Sequence, residues 1–307
     1  ETPRLSAAEL GCRANLVRRD RQRRDHRGRS LVRLAAAPDR SVFLRADLSS
    51  CAELSLSSQC ELSDREPSLD GLAAMRWHMF RSACRRHNGD AAWQDDERAA
   101  FAILRETVMA AGGAEPVTPV RHLLSDQIIW GRAPVRLDLA GGWTDTPPYC
   151  MVHGGRVVTV AVELNGQPPI QVFGRCIDAP EIILRSIDLG HHERVKTYEQ
   201  LRDFSHVGGS FSIPKVALAL AGFLPEFAVA AADTLAEQLA RFGGGIELTL
   251  LAGVPKGSGL GTSSILAATL LGTLGELCGL DWDAQALVRR ALVLEQLLTT
   301  GGGWQDQ

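Results

Sequence analysis

The chain has 307 residues, 45% apolar and 22% charged, which is enough apolar side chain for a packed core and excludes a disordered or collagen-like chain. Its net charge of −3, from 33 Lys and Arg against 36 Asp and Glu, gives no global pull towards nucleic acid or an anionic membrane. No run reaches the roughly 20 apolar residues of a membrane-spanning helix, and the seven scattered cysteines, with no Cys-x-x-Cys pair, read as reduced thiols of a cytoplasmic protein.

Up to about Leu124 the sequence is polar, arginine-rich and helical in rhythm. Nine arginines lie between Arg13 and Arg33 against Asp20 and Asp25. No aromatic residue interleaves for base stacking and the arginines fall on every helical face, so this segment reads as a solvated or subunit-facing helix, a route to a homo-oligomer rather than a nucleic-acid patch. Residues 69–87 and 96–110 are predicted as two amphipathic helices. Met75, Met79 and Phe80 mark one apolar face, and Phe101, Ile103, Leu104 and Val108 the other. The pair ends at Gly112-Gly113 and the prolines 116 and 119. His78, His87 and His122 have no ligand-spaced partners and read as surface or core residues.

From Ser125 the chain turns apolar, glycine-rich and strand-forming. Strands are predicted at 127–139, 156–163, 169–175, 181–189 and 245–254, with helices at 213–223 and 231–242 between the last two. A glycine loop, a helix to Cys278 and a helix over 283–298 follow. Several strands and then packed helices predict an α+β layered domain at 125–307, preceded by a helical region at 1–124.

Three segments of this second part carry chemistry. The first, 131–148, has Arg136 and Asp138 on one strand face, which suits a plain ion pair. Beyond them Gly141-Gly142-Trp143-Thr144-Asp145 is a turn with a rigid aromatic and a carboxylate, a composition suited to a sugar. The second is Pro255-Lys256-Gly257-Ser258-Gly259-Leu260-Gly261-Thr262-Ser263-Ser264. Alternate glycines let the backbone come close to a ligand, and the free N–H groups and positive dipole end of the following helix suit an anion. Hydroxyls at 262–264 add donors for phosphate oxygens or a phosphate-bound Mg²⁺. An ordinary capped turn is the alternative, but the string exceeds what a turn requires. The third segment, 281–307, has Glu295 on the apolar stripe of a helix, where a carboxylate must meet a cation or be protonated. Mg²⁺ beside a phosphate loop is one partner, and partial exposure at the stripe's edge is the other reading. Thr299 to Gln307 then form a glycine loop that presents Asp306.

Taken together, the three segments resemble the GHMP kinases, the family of galactokinase, homoserine kinase and mevalonate kinase. Within that family Val293–Gln307, Phe211–Lys215 and Arg241–Leu248 resemble the L-fucokinases, including those fused to a GDP-fucose pyrophosphorylase. The resemblance implies the fold of the GHMP kinase N-terminal lobe (ribosomal protein S5 domain 2-like) after a helical connector. It implies phosphoryl transfer from ATP to the anomeric hydroxyl of L-fucose. In that scheme Asp306 orients or deprotonates the sugar hydroxyl and Arg136 neutralises charge beside it. Asp145, Trp143 and Gly142 lie at the sugar. Pro255, Gly257, Ser258, Gly259, Leu260, Gly261, Thr262, Ser263 and Ser264 surround the nucleotide, and Ser263 and Glu295 hold Mg²⁺. Thr262 replaces the usual first serine, and Ser264 stands where alanine is common. Gly142-Trp143 stands where galactokinase-type sequences carry Glu-His, which argues against galactose. The resemblance further implies a second kinase lobe after Asp306 and a pyrophosphorylase domain upstream, so the chain is expected to be a piece of a longer enzyme, inactive alone. A heptose-phosphate kinase of the same family and an inactive scaffold are the other readings.

Overall fold

Arginine, leucine and alanine favour the helix, and α1 (Leu16–Ala35) runs through them for 20 residues with most of its charged side chains in solvent. The computed structural model describes residues 16–35, 52–53, 62, 71–111, 115–146, 149–204, 211–255 and 258–298. The chain divides into two units, Glu1–Leu104 and Arg105–Gln307.

In the first unit, α2 (Gly71–His87) buries Met75, Trp77, Met79 and Phe80, and α3 (Trp93–Ala111) buries Ala100 and Leu104. Asp96 is buried as well. Arg81 Nε lies 2.5 Å and Arg85 Nη1 2.8 Å from its carboxylate, with His78 Nδ1 at 3.6 Å. Burial alone would raise the Asp96 pKa, but His78 and the two guanidinium groups outweigh it and hold the pKa below the usual value.

In the second unit, proline breaks the long predicted strand. Pro134 has no N–H for a ladder, and the run divides into β1 (Ile129–Ala133) and β2 (Val135–Ala140). Among the described residues β2 pairs only with β3 (Val158–Val162), as an antiparallel ribbon in which Arg136 faces Ala161 and Asp138 faces Thr159. β1 joins β4 (Ile170–Ile177), β5 (Ile182–Ser186), β6 (His191–Val195) and β7 (Gly245–Ala252) in a sheet of order β1-β4-β7-β5-β6, antiparallel except where β5 runs parallel to β7.

Helices supply the other side of the core. The short α4 (Tyr149–His153) and α5 (Tyr198–Arg202) precede α6 (Ser212–Leu218), which widens into a π-helical turn at Ala219–Phe223. α7 (Leu235–Phe242), α8 (Thr262–Leu277) and α9 (Ala284–Leu297) follow. α8 lies on β1 and β4 and carries α6 and α9 against it. It fits because of Gly131 in β1, where a Cβ would stand 2.1 Å from Thr273 Oγ1. The buried set of Val172, Ile182, Leu184, Leu248, Leu270 and Leu274 joins sheet to helices.

The opposite sheet face is polar and aromatic. Trp130 stacks on its cross-strand neighbour Phe173, with centroids 5.6 Å apart, under the Arg132 guanidinium. Glu247 accepts from Arg175 at 2.9 Å and from Arg185 at 2.8 Å. Burial by itself would raise the Glu247 pKa, yet these two arginines lower it. Among the described residues no helix is long and apolar enough to cross a membrane, and Cys176 and Cys278 are free thiols.

Candidate active site

A small core fixes the glycine loop from below. Leu260 packs with Val135, Ile170 and Val254, and its carbonyl accepts from Arg136 N at 3.2 Å. Arg136 grips the loop a second time. Its Nη1 donates to the Gly259 carbonyl at 2.8 Å and to Asp138 Oδ2 at 2.6 Å. The ion pair expected on this strand face is present and is also a tie between ribbon and loop.

The loop turns through left-handed backbone at Gly259 (φ 76°) and Gly261 (φ 72°), a region open to glycine at little cost. Gly261 then starts α8 with no side-chain cap. Elsewhere Thr197, Thr234 and Asp283 cap α5, α7 and α9 by accepting a backbone N–H. α6 also starts without a side-chain cap. An uncapped start leaves donors and the positive dipole end for another group.

Both uncapped starts line one cleft. Ser212, Ile213 and Pro214 come from α6, Thr262, Ser263 and Leu266 from α8, and Ser186, Asp188, Leu189, Leu250 and Ala252 from the ends of β5 and β7. Thr262 is 8% exposed and its hydroxyl oxygen is buried without a hydrogen-bond partner among the described residues. Such an atom is costly unless something bonds it. Ser263 is exposed, whereas Ser264 is buried and its hydroxyl donates a short hydrogen bond to Glu295 Oε1. Glu295 is itself only 6% exposed, so the stripe position read from the sequence is buried. One partner of its carboxylate is the hydroxyl of Ser264, a residue the sequence reading placed at the nucleotide and not at Glu295.

The sequence reading passed over a second group. Asp188 accepts from Ser186 Oγ at 3.0 Å and from Ala252 N at 3.3 Å, which sets a carboxylate in the wall of the cleft. The signal was a serine and an aspartate two residues apart at the end of a strand run, just before Gly190.

At the far end of β2 the turn is locked. Thr144 Oγ1 donates to the Arg156 carbonyl at 2.9 Å and accepts from Arg156 N at 3.0 Å. Trp143 sits at φ 71° with 73% of its surface exposed, a conformation that costs a bulky residue energy and is kept where surrounding structure enforces it. Gly142 is needed for contact, since a Cβ there would stand 2.5 Å from Asp138 Oδ2. Asp145 is only partly exposed, with its backbone against Gly155. The structure thus ties Arg136 to Gly259 and Leu260, and Ser264 to Glu295, and brings Thr262 and Ser263 to one cleft. Pro255 and Ser258 lie at the described ends of the loop, and Ser258 N donates to the Pro255 carbonyl at 3.3 Å. Lys256, Gly257 and 299–307, Asp306 among them, lie outside the described residues.

The sequence profile described as GHMP kinases N terminal domain matches residues 226–307. The match includes α7, β7, the glycine loop, α8 and α9, and the strands upstream complete the sheet on which the matched helices pack. The L-fucokinase/L-fucose-1-P guanylyltransferase of Bacteroides fragilis is 48% identical over 305 residues, 99% of this chain and 32% of its own. The bifunctional fucokinase/GDP-fucose pyrophosphorylase of Arabidopsis thaliana is 36% identical over 174 residues, 57% of this chain and 15% of its own. The chain thus spans a third or less of the length of these relatives. Among solved structures, Methanococcus jannaschii mevalonate kinase aligns with 58% of this chain and 48% of its own, at 16% identity and a TM-score of 0.43.

Proposed function

We propose that the chain is the nucleotide- and sugar-binding lobe of an ATP-dependent L-fucose 1-kinase. The observation that carries the reading is the uncapped start of α8 at Gly261, with the buried unpartnered Thr262 hydroxyl beside it in the cleft. The relatives' names add the sugar, since both are called fucokinases.

The reaction is ATP + L-fucose → ADP + L-fucose 1-phosphate. In phosphoryl transfer the protein mainly aligns the partners and neutralises spreading charge. Loop amides from Gly257 to Ser263 hold the phosphates, and the cleft walled by Asp188, Ile213 and Leu250 receives the rest of the nucleotide. Arg136, held between Asp138 and the Gly259 carbonyl, adds positive charge at the transferred group. Trp143 offers a flat apolar face to the sugar, and Asp145 accepts from its hydroxyls. Asp306 accepts the anomeric proton or a hydrogen bond from it. The residues present fit Mg²⁺, a hard cation that takes oxygen ligands and shares them with phosphates. Ser263, exposed in the cleft, and Glu295, buried beside Ser264, would hold it with oxygen ligands at the start of α8. When bound, Mg²⁺ neutralises the β- and γ-phosphate oxygens. The product would then supply the guanylyl transfer named in the Bacteroides relative.

ADP release by the complete native polypeptide, with L-fucose, galactose and a heptose 7-phosphate in parallel, tests the assignment. L-fucose is expected to give the highest kcat/KM. Asp306→Asn should reduce turnover by about 10³-fold or more while leaving ADP affinity within a few-fold, on the scale of losing a group that acts only in the transition state. Equal turnover by Asp306→Asn, or preference for galactose, would refute the reading.

A further inference from the structure

A buried carboxylate needs a partner that keeps it charged and aimed. Glu295 is 6% exposed near the end of α9, and one partner that meets it is Ser264, 7% exposed, in the first turn of α8. This short bond joins two helices whose residues lie 31 positions apart. It is made by the inward-facing hydroxyl of the Ser263-Ser264 pair. Ser263, one residue back, is exposed and lines the cleft. A residue in this place without a hydroxyl would leave the carboxylate oxygen without that donor. The two serines therefore divide the work, one facing the ligand and the other facing Glu295.

We infer that Ser264 is a positioning residue that holds Glu295 for a metal-bound nucleotide. The inference rests on the nucleotide reading above and deepens it. The hydroxyl acts through Glu295 and does not touch the nucleotide. It fixes the rotamer of Glu295 at the start of α8, so the carboxylate is preset before Mg²⁺ arrives. Outer partners of this kind tune metal affinity by roughly 10–100-fold. A purely structural hydroxyl would instead change stability and nucleotide affinity alike, with or without metal.

The test is calorimetric titration of ADP into the chain, once with Mg²⁺ and once with EDTA, for the wild type, Ser264→Ala and Ser264→Thr. Thermal melts of each variant run beside the titrations. In the wild type, Mg²⁺ is expected to tighten ADP binding. In Ser264→Ala that gain should shrink by about tenfold or more, while affinity in EDTA changes less than twofold. Ser264→Thr, which keeps a hydroxyl, should recover most of the gain. If Ser264→Ala does not fold, Ser264→Cys replaces it, since a thiol is a weak donor of similar size. It should lose the larger part of the Mg²⁺ gain. The inference is overturned if Mg²⁺ tightens ADP equally in wild type and Ser264→Ala, or if Ser264→Ala weakens ADP equally in Mg²⁺ and EDTA. Failure of the wild type to bind ADP in either buffer overturns the nucleotide reading itself, and the wild-type titration alone reveals it.

Discussion

Glu247 shows what a single side chain on the sheet's open face does. It stands between Arg175 on one neighbouring strand and Arg185 on the other, so one carboxylate links β4, β7 and β5. Its pKa is lower in the folded protein than its ordinary 4.5. A lowered carboxylate contributes stability that is complete above the unfolded value and lost as pH falls through the folded one. Glu247→Gln should therefore melt below the wild type at pH 7, and the gap should close as pH drops from about 5 towards 3. Both arginines are about half exposed, so the contribution at pH 7 is about 1 kcal/mol, or roughly 2–4 °C for a domain this size. A gap that stays constant across that pH range would contradict the ion-pair account. At this scale the sequence was legible where chemistry follows from spacing. Arg136 and Asp138 share a strand face and do pair. It was not legible where a bond joins distant elements. Nothing near Ser264 indicates Glu295, because their meeting depends on how α8 and α9 cross. Asp96 is the same case, an exposed-looking residue at a helix start that α2 draws into a buried cluster.

The elements depend on close approach between helix and sheet. α8 carries the glycine loop at its start and is seated on β1 through Gly131. Gly131→Ala would put a methyl group 2.1 Å from Thr273 Oγ1 and 3.4 Å from the Thr269 carbonyl. Overpacking of this kind costs about 1–3 kcal/mol. Urea unfolding should show the loss as a lower midpoint. Gly131→Ala/Thr273→Ala should recover part of it, because the clashing oxygen is gone. If the single variant unfolds like the wild type, α8 is not seated as described. Periodicity gave most elements, including α2, α3, α7, α8, α9 and β7, to within a few residues. It missed β6, whose His191-His192-Glu193-Arg194-Val195 has no apolar alternation. β6 is an edge strand, and charge is how such an edge avoids pairing with another chain. It also ran β1 and β2 together, because an apolar run gives no sign that Pro134 passes the chain from a five-stranded sheet to a two-stranded ribbon.

For the molecule as a whole, the account turns on one arrangement. Strand β2, through Arg136, holds the glycine loop from one side, and α9, through Glu295 and Ser264, holds the first turn of α8 from the other. Between them Gly261 opens the helix without a side-chain cap, and the next residues, Thr262 and Ser263, line the cleft together with Asp188. Of this, the glycine loop and the helix it opens were legible, because alternate glycines followed by hydroxyl residues and an apolar stretch read as a loop at a helix start. Asp188 and the α6 start at Ser212 were not, since the cleft gathers residues from strand ends and helices that lie tens of positions apart. The claim that backbone N–H groups at the start of α8 bind nucleotide phosphates is best tested by amide NMR of the deuterated chain. The titrants would be ADP with Mg²⁺ and, separately, adenosine. The account predicts that the amides of residues 258–264 shift strongly with Mg²⁺-ADP and little with adenosine, while those around Asp188 respond to both. Shifts confined to other parts of the chain, or a loop that responds equally to adenosine and Mg²⁺-ADP, would contradict it.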